Sequence, residues 1–412
     1  MRSLSVQIGL AMVLGAVLGF ILGPSAAPLG EIGKAVITLI KAIASPLLFF
    51  TIIHHLSTTD VHWKGAARML VAASINATFA LAIGLGLSNL IQPGRHLALD
   101  VLHAQTATGG ATAALPVKAP THLDLPGVLS ALIPSSVVQP FVDNAVLALV
   151  FLAVMIGLSL RRVRAKQQAE GRRDYVAFDS VIETARELSV TAIQAVVHLV
   201  PLAVLGVVAK SVAAYGFAPL RGLSVYVGVG ILGLTLQVVV YQLWFVLYVR
   251  RFTLREFWAK VREPVVYAFG ANSSLATLPL TLKALDGLKI SRASSTLGAC
   301  VGSNLNHDGI ILYEAMAALL VAQAAGIDLS LGQQLLVAAT ALVASAGIAG
   351  IPEAGFISLA VVLGTVGVPT ELLPLLLTVD WIIARGRSVV NVLSDITLSI
   401  LIERMGSPDT SK

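Results

Sequence analysis

The sequence predicts an all-α polytopic membrane protein, and two observations support this fold class. Among the 412 residues, 56% are hydrophobic and 12% are charged, whereas about a quarter of a typical soluble domain is charged. The mean hydropathy is +0.86, and most of the long apolar runs reach or exceed the roughly 20 residues that a helix needs to cross the hydrocarbon core. These runs lie at residues 5–23, 32–53, 69–91, 146–160, 190–212, 225–249, 293–321, 335–366 and 372–402.

The first run, residues 5–23, is expected to be retained as a helix. No convincing small-residue cleavage site follows it, so it lacks the pattern of a secretory signal peptide. The later runs are long and are interrupted by Gly, Pro and polar residues. We therefore expect simple spans in the first half of the chain and broken helices in the second.

Positively charged loops predict the orientation, because Lys and Arg near a membrane gather on its cytoplasmic side. One basic cluster lies within 161–173 and another within 250–262, whereas 94–126 carries only Arg95 and Lys118. With the N-terminus inside, both clusters fall inside and 94–126 falls outside. We predict a multi-pass protein of the cell (inner) membrane with both termini in the cytoplasm. This topology accounts for the formal charge of +6 without a nucleic-acid partner.

Two polar interruptions in the second half form a loose pair. The segments 270–279 and 344–355 are both rich in Ser, Gly and Pro. Paired interruptions point to a transport site, because freed amides and hydroxyls can hold a carboxylate and freed carbonyls can hold a cation. The alternatives are a kinked helix with back-bonded serines at the first segment and an unliganded Gly/Pro kink at the second.

A third motif, residues 302–309, gathers hard oxygen donors inside an apolar run. It holds two Asn and one Asp beside a Gly, and Tyr313 and Glu314 follow it. Such oxygens suit a desolvated alkali cation. A zinc site would need more His or Cys at ligand spacing, and Cys300 is the single cysteine, which also excludes intrachain disulfides. The alternative is a polar network with a structural role.

The fourth motif extends along one predicted helix. Helical spacing places Asp380, Ala384, Arg387, Asn391 and Asp395 on one face. An arginine on that face could grip a carboxylate with two parallel hydrogen bonds. Ionisable groups inside a span cost several kcal/mol and are functional candidates for that reason. The alternative is a structural ion pair of Arg387 with Asp380 or Asp395.

At these four motifs the sequence resembles the dicarboxylate/amino acid:cation symporter family, which includes the glutamate and neutral amino acid transporters. The family's Asn-Met-Asp-Gly-Thr motif appears at 306–310, and its serine-rich first hairpin appears at 272–279. Its last-helix pattern of Asp, Arg, Asn and Asp appears within 380–395. The motifs follow the family's order, and the resemblance covers nearly the whole chain.

The resemblance implies a homotrimer in the lipid bilayer, with eight transmembrane helices plus two re-entrant helical hairpins in a glutamate-transporter-like elevator fold. A scaffold would hold the trimer while a transport domain slides across the membrane, and the paired interruptions would be the two hairpins. The implied divisions are scaffold helices 1 and 2 at 1–66, the third helix, which joins the transport domain, at 67–93, an external loop at 94–124, scaffold helices 4 and 5 at 125–220, the rest of the transport domain at 221–405 and a cytoplasmic tail at 406–412.

The resemblance also implies roles for single residues. The implied substrate-binding residues are Ser273, Ser274, Ile310, Gly350, Pro352, Glu353, Gly355, Asp380, Ala384, Arg387, Ser388 and Asn391. The implied sodium sites comprise Gly302, Asn304, Asn306, Asp308, Ser345, Ile348, Asn391, Asp395 and Asn76. Proton coupling is implied for Glu314, Arg385 and His307. No covalent cofactor is implied, and sodium is the expected coupling ion, with protons and potassium as further candidates.

Three residues depart from the family pattern. Ala384 stands where amino acid carriers place an Asp that pairs with the substrate amino group, and a buried ammonium left unpaired costs several kcal/mol. Ile310 replaces a Thr that helps to hold the distal carboxylate. His307 replaces a Met between the sodium sites, and a His there could titrate near neutral pH.

These residues together predict the substrate class. Arg387 favours an acidic carboxylate and Ala384 disfavours an amine, so the sequence predicts import of a dicarboxylate such as succinate, malate or fumarate with Na+ and/or H+. Acidic amino acids, glutamate or aspartate, are the alternative, because Glu353 could supply the missing negative charge.

Two other functional classes are alternatives to a carrier. An intramembrane hydrolase could be built on Ser273 or Ser274 with His307, but the sequence has no oxyanion-hole signature and no third group to orient the base. A channel would also need polar residues at membrane depth. Saturable flux that depends on a cation gradient would distinguish the carrier, and we expect no enzymatic activity.

Overall fold

The computed structural model describes residues 4–58, 63–96, 133–143, 145–216, 218–346, 354–368 and 373–406, and every regular element in these ranges is a helix. The first half contains α1 (Leu4–Leu22), a 3-10 helix (Gly23–Leu29), α2 (Gly30–Thr58), α3 (Trp63–Ile91), a second 3-10 helix (Pro93–His96), α4 (Gln139–Val142), α5 (Val146–Ala169), α6 (Tyr175–Val197) and α7 (Val200–Tyr215). The second half contains α8 (Ala218–Trp244), a π-helical turn (Phe245–Val249), α9 (Leu254–Ala271), α10 (Ser274–Gly287), α11 (Arg292–Ser295), a π-helical segment (Thr296–Val301), α12 (Gly302–Leu305), α13 (Asp308–Ala324), α14 (Leu331–Ala346), α15 (Ala354–Thr365) and α16 (Leu373–Gly406).

Among the described residues, three stretches are long and apolar enough to cross a membrane. They are Val6–His54, Ala67–Ile91 and Gly222–Val249, and the pair formed by α6 and α7 is a fourth if it counts as one span. That pair bends by 42°, so the run at 190–212 is not the single straight helix that the sequence predicted. A proline in the first turn of α7 explains the bend, because it cannot donate a hydrogen bond back into α6.

The helices pack in two groups. In one, α1, α2, α5, α6 and α7 contact each other, and in the other, α3 and α8–α16 contact each other. Contacts of α2 with α15 and of α7 with α16 join the two groups. Small residues bring backbones together in both groups: a Cβ on Gly19 of α1 would lie 2.3 Å from the carbonyl oxygen of Ala209, and one on Gly84 of α3 would lie 2.8 Å from that of Leu312. Such contacts are typical of helices packed in lipid, where the hydrophobic effect does not drive helices together and close van der Waals packing at small residues does.

The first predicted interruption is a sharp reversal between α9 and α10. Asn272 ends α9 with a left-handed backbone (φ 51°), a conformation that Asn adopts more readily than most residues. The Ser273 hydroxyl then accepts a hydrogen bond from the Ala276 N–H at 3.1 Å and caps α10. The predicted break in 270–279 is confirmed, and Pro279 lies inside α10.

The 302–309 motif, which the sequence placed inside one apolar run, is also a break. The backbone is extended at Asn306 (φ −122°) and non-helical at His307 (φ −125°), between the end of α12 and the start of α13. All 17 residues of α13 are buried, and this helix contacts α3, α8, α14, α15 and α16. The break therefore lies at the centre of the second group, beside α16, the 34-residue helix that carries the fourth motif.

Candidate functional site

A buried ion pair lies in the N-terminal part of the fourth motif. The Nη1 and Nη2 atoms of Arg387 donate to the two carboxylate oxygens of Asp380 at 2.8 and 2.9 Å. The two side chains are 4% and 2% exposed, and the guanidinium carbon lies 4.0 Å from the centre of the Tyr313 ring. The structure therefore shows Arg387 in an ion pair with Asp380, which was one of the two partners in the alternative interpretation of the fourth motif. A carboxylate ligand would have to displace or share this partner.

Helix α15 begins directly against the same guanidinium. A Cβ on Gly355 would lie 2.9 Å from both Cζ and Nη1 of Arg387, so a larger residue here would have to displace the guanidinium. One turn later, the Ser358 hydroxyl hydrogen-bonds Glu314 of α13. Glu314 is fully buried, and its second carboxylate oxygen has no hydrogen-bond partner among the described residues. The structure thus brings Arg387 and Gly355, for which the resemblance implies substrate binding, close to Glu314, for which it implies proton coupling.

The hairpin formed by α9 and α10 is fastened to α16. The Ser388 hydroxyl donates to Asn272 Oδ1 at 3.0 Å, which places the hairpin tip beside Arg387. Arg385 donates to the carbonyl oxygens of Phe269 and Gly270 at 3.2 and 3.4 Å, so it provides hydrogen bonds to carbonyls at the C-terminal end of α9. The helix dipole also favours a cation at this end. Ser273, which the resemblance implies is a substrate-binding residue of the first hairpin, also has a local structural role, because its hydroxyl caps α10.

The helix break at Asn306 and His307 lies against the C-terminal part of the fourth motif on α16. Gly309 N–H donates to Asn391 Oδ1 at 2.9 Å. Asn306 Nδ2 donates to the Ser394 hydroxyl at 2.6 Å, which in turn donates to Asp308 Oδ2 at 2.5 Å. The Tyr241 hydroxyl donates to the same carboxylate oxygen at 2.7 Å. The break, α8 and α16 are therefore joined by one buried polar network.

Several polar side-chain atoms beside this network are buried without a hydrogen-bond partner in the described part of the chain. Among the described residues, Asp308 Oδ1, Asp395 Oδ1 and both side-chain polar atoms of Asn76 have no partner, and these residues are at most 3% exposed. A buried polar group without a partner is costly. Carboxylate and amide oxygens of this kind fit a desolvated alkali cation, which supplies the missing positive charge.

The remaining implied site residues are placed less completely. Ile310, Ala384 and His307 are buried, and the Ser345 hydroxyl donates to the Leu342 carbonyl oxygen at 3.0 Å. Ile348, Gly350, Pro352 and Glu353 lie outside the described residues, as does the Asn304 side chain, so their predicted roles stay predictions.

Sequence reasoning missed three residues of this site and assigned no role to a fourth, Tyr313. Ser394 and Tyr241 complete the hydrogen bonds of Asp308, Tyr313 lies under Arg387, and Ser358 contacts Glu314. Ser394 carried a signal, since it follows Asn391 by three positions and so shares its helix face. Tyr241 carried none beyond being a tyrosine in an apolar run.

Residues 4–405 match the family model described as the sodium:dicarboxylate symporter family. The chain belongs to this family. It is 31% identical to a C4-dicarboxylate transport protein of Bordetella avium, over 97% of this chain and 88% of that protein. It is 30% identical to a C4-dicarboxylate transport protein of Rhodospirillum rubrum and 29% identical to C4-dicarboxylate transport protein 3 of Ralstonia nicotianae, each over 97% of this chain and 88% and 89% of the relative.

The match confirms the resemblance that the four motifs predicted. Members of the sodium:dicarboxylate symporter family are membrane transporters, so the chain is a transporter and not an enzyme. The hydrolase that Ser273 or Ser274 and His307 suggested is thereby excluded. In this symporter family member, the buried charges of α13 and α16 sit where broken helices meet, which is the arrangement in which transporters place substrate and ions.

Proposed function

We propose that this chain is a secondary active symporter that imports small dicarboxylates of the succinate, malate and fumarate class together with Na+ and/or H+. The observation that carries the proposal is the buried guanidinium of Arg387, which can bind a carboxylate. Position 384 on the same helix face is alanine, so no acidic side chain stands there to pair with a substrate amino group. The names of the relatives, which are C4-dicarboxylate transport proteins, support the same substrate class.

The ion pair suggests how a dicarboxylate is held. One substrate carboxylate takes the bidentate position that Asp380 occupies on Arg387, because the planar guanidinium matches carboxylate geometry. The second carboxylate lies toward the hairpin tip, where Ser274 begins α10 and Ser388 bonds Asn272. Ala384 leaves an amino group on the substrate without a counter-charge, so dicarboxylates are preferred to amino acids.

The helix break would hold the coupling cations. The unpartnered oxygens of Asp308 and Asp395 supply negative charge, and the extended backbone at Asn306 frees carbonyl oxygens for a cation. Glu314, buried with one oxygen unpartnered, is the group that would carry a proton. Because Asn391 bonds the first turn of α13 while Arg387 lies one turn away on α16, ion and substrate binding would be linked through the same helix.

We extend the proposal to the elevator arrangement. Most helix contacts fall within two sets, α1, α2 and α5–α7 in one and α3 and α8–α16 in the other, and α2–α15 and α7–α16 contacts lie between the sets. This division supports a scaffold of residues 1–66 and 125–220 and a transport domain of 67–93 and 221–405. The proposal also includes a homotrimer in the inner membrane, with both termini in the cytoplasm.

The proposal is tested by uptake of labelled succinate and aspartate into proteoliposomes, with sodium, proton and potassium gradients imposed separately. Succinate uptake that follows a sodium or proton gradient is expected, and the effective gradient identifies the coupling ion. Aspartate uptake without succinate uptake would contradict the substrate class and favour the acidic amino acid alternative.

Replacing Ala384 by Asp tests the specificity argument. A carboxylate at this position would pair with a substrate amino group and repel a dicarboxylate. We therefore expect Ala384→Asp to shift the preference from succinate toward aspartate by at least about tenfold, a free-energy difference of about 1.4 kcal/mol between the two substrates. The ratio of kcat/KM values for the two substrates measures the shift. Ala384→Asn, of similar volume without the charge, is the matched control, and an equal shift in that variant would contradict the electrostatic explanation.

A further inference from the structure

The π-helical segment Thr296–Val301 and α16 are in direct backbone contact. A Cβ on Gly298 would lie 2.3 Å from Ser399 Oγ, 2.4 Å from Ser399 N and 2.5 Å from Ser399 Cα. Two of these three atoms belong to the backbone, so no change of side-chain rotamer would make room. Glycine is therefore required at position 298 for the two helices to lie at this distance.

This contact is one end of a short antiparallel seam whose other end is the proposed cation site. Gly302 follows Gly298 by about one turn, and Asp395 precedes Ser399 by about one turn. A Cβ on Gly302 would lie 3.7 Å from Asp395 Oδ1, the buried oxygen that has no partner among the described residues. The Ser399 hydroxyl also donates to the Asp395 carbonyl oxygen at 2.8 Å, so displacement at Ser399 would reach Asp395.

We propose that Gly298 is a positioning residue for the coupling cation: the backbone contact that it permits sets the separation between the Asp395 carboxylate and the carbonyl oxygens of the helix break. This inference rests on the cation coupling proposed above. Cation sites tolerate ligand displacements of only a few tenths of an ångström, and packing that is forced apart by one added methyl group shifts its surroundings by about that much or more.

Gly298→Ala is the direct test. The sodium concentration that gives half-maximal thermal stabilisation of the purified protein is expected to rise about tenfold, as is the sodium concentration for half-maximal succinate uptake. The maximal uptake rate at saturating sodium is expected to stay within about twofold of wild type. Gly228→Ala is the matched control, because a Cβ on Gly228 would meet nothing within 4 Å, and its sodium dependence is expected to be unchanged.

A second substitution tests whether the backbone is the obstacle. Ser399→Ala removes Oγ but leaves the N and Cα atoms that lie 2.4 and 2.5 Å from the added Cβ. The double variant Gly298→Ala/Ser399→Ala is therefore expected to be as impaired in sodium affinity as Gly298→Ala. Restored sodium affinity in the double variant would overturn the inference.

A milder variant at the other end of the seam keeps the test decisive if Gly298→Ala does not fold. A Cβ on Gly302 would press on Leu398 Cδ2 at 3.1 Å, a flexible side-chain end, so Gly302→Ala is expected to raise the half-maximal sodium concentration by only two- to threefold. Unchanged sodium dependence in the variant that folds overturns the positioning role. A wild-type protein that sodium neither stabilises nor drives would instead overturn the proposed coupling itself.

Discussion

Removing the Arg387 guanidinium is expected to abolish succinate uptake and to destabilise the protein. Arg387→Ala leaves the Asp380 carboxylate buried without its counter-charge, and breaking a buried pair in this way typically costs about 3–5 kcal/mol. The same substitution removes the bidentate carboxylate receptor, so uptake should fall by at least about a hundredfold. Thermal unfolding in detergent and initial rates of uptake measure the two effects.

A double substitution separates binding from stability. In Arg387→Leu/Asp380→Leu no charge is left buried, and apolar replacements of buried ion pairs are often neutral or stabilising. This variant should therefore regain most of the thermal stability and none of the uptake. Arg95→Ala is the control, because the Arg95–Asp328 pair is 55% and 84% exposed and such pairs contribute about 0–1 kcal/mol. Uptake by the double variant would show that the pair is structural only.

Replacing Asp308 by Asn is expected to give a stable protein that has lost its response to sodium. One carboxylate oxygen of Asp308 accepts from the hydroxyls of Tyr241 and Ser394, and an amide oxygen can do the same. The other oxygen has no partner among the described residues, and an amide NH2 in its place would repel a cation. Without sodium, the melting temperature of Asp308→Asn should be at least as high as that of wild type.

The same variant discriminates between a cation site and a structural polar network, the alternative that the sequence left open. Sodium should stabilise the wild-type protein and not Asp308→Asn, and uptake should fall by at least about tenfold. Ser394→Ala is the matched comparison: it removes the link between Asn306 and Asp308 but keeps the carboxylate charge, so it should weaken sodium binding only in part. Equal sodium stabilisation of wild type and Asp308→Asn would favour the structural network.

The local features of this fold were predictable because they depend on neighbouring residues. Left-handed Asn272 and the Ser273 cap break the helix within 270–279, as the sequence predicted. The break at Asn306 and His307 was not predicted, because the sequence placed the 302–309 motif inside one apolar run. Asp380 and Arg387 meet because residues seven apart return to one side of a helix. The bend between α6 and α7 was missed, although Pro201 is its local cause.

The sequence alone therefore determined that the chain is a helical membrane protein, that a helix breaks within 270–279, and which charged residues share the face of α16. Only the tertiary structure decided which helices meet there. It placed Tyr241 of α8 on Asp308, Gly355 of α15 on Arg387, and Gly298 against Ser399. Helix periodicity and capping act over a few residues, whereas these contacts join segments far apart in the chain and depend on how whole helices pack.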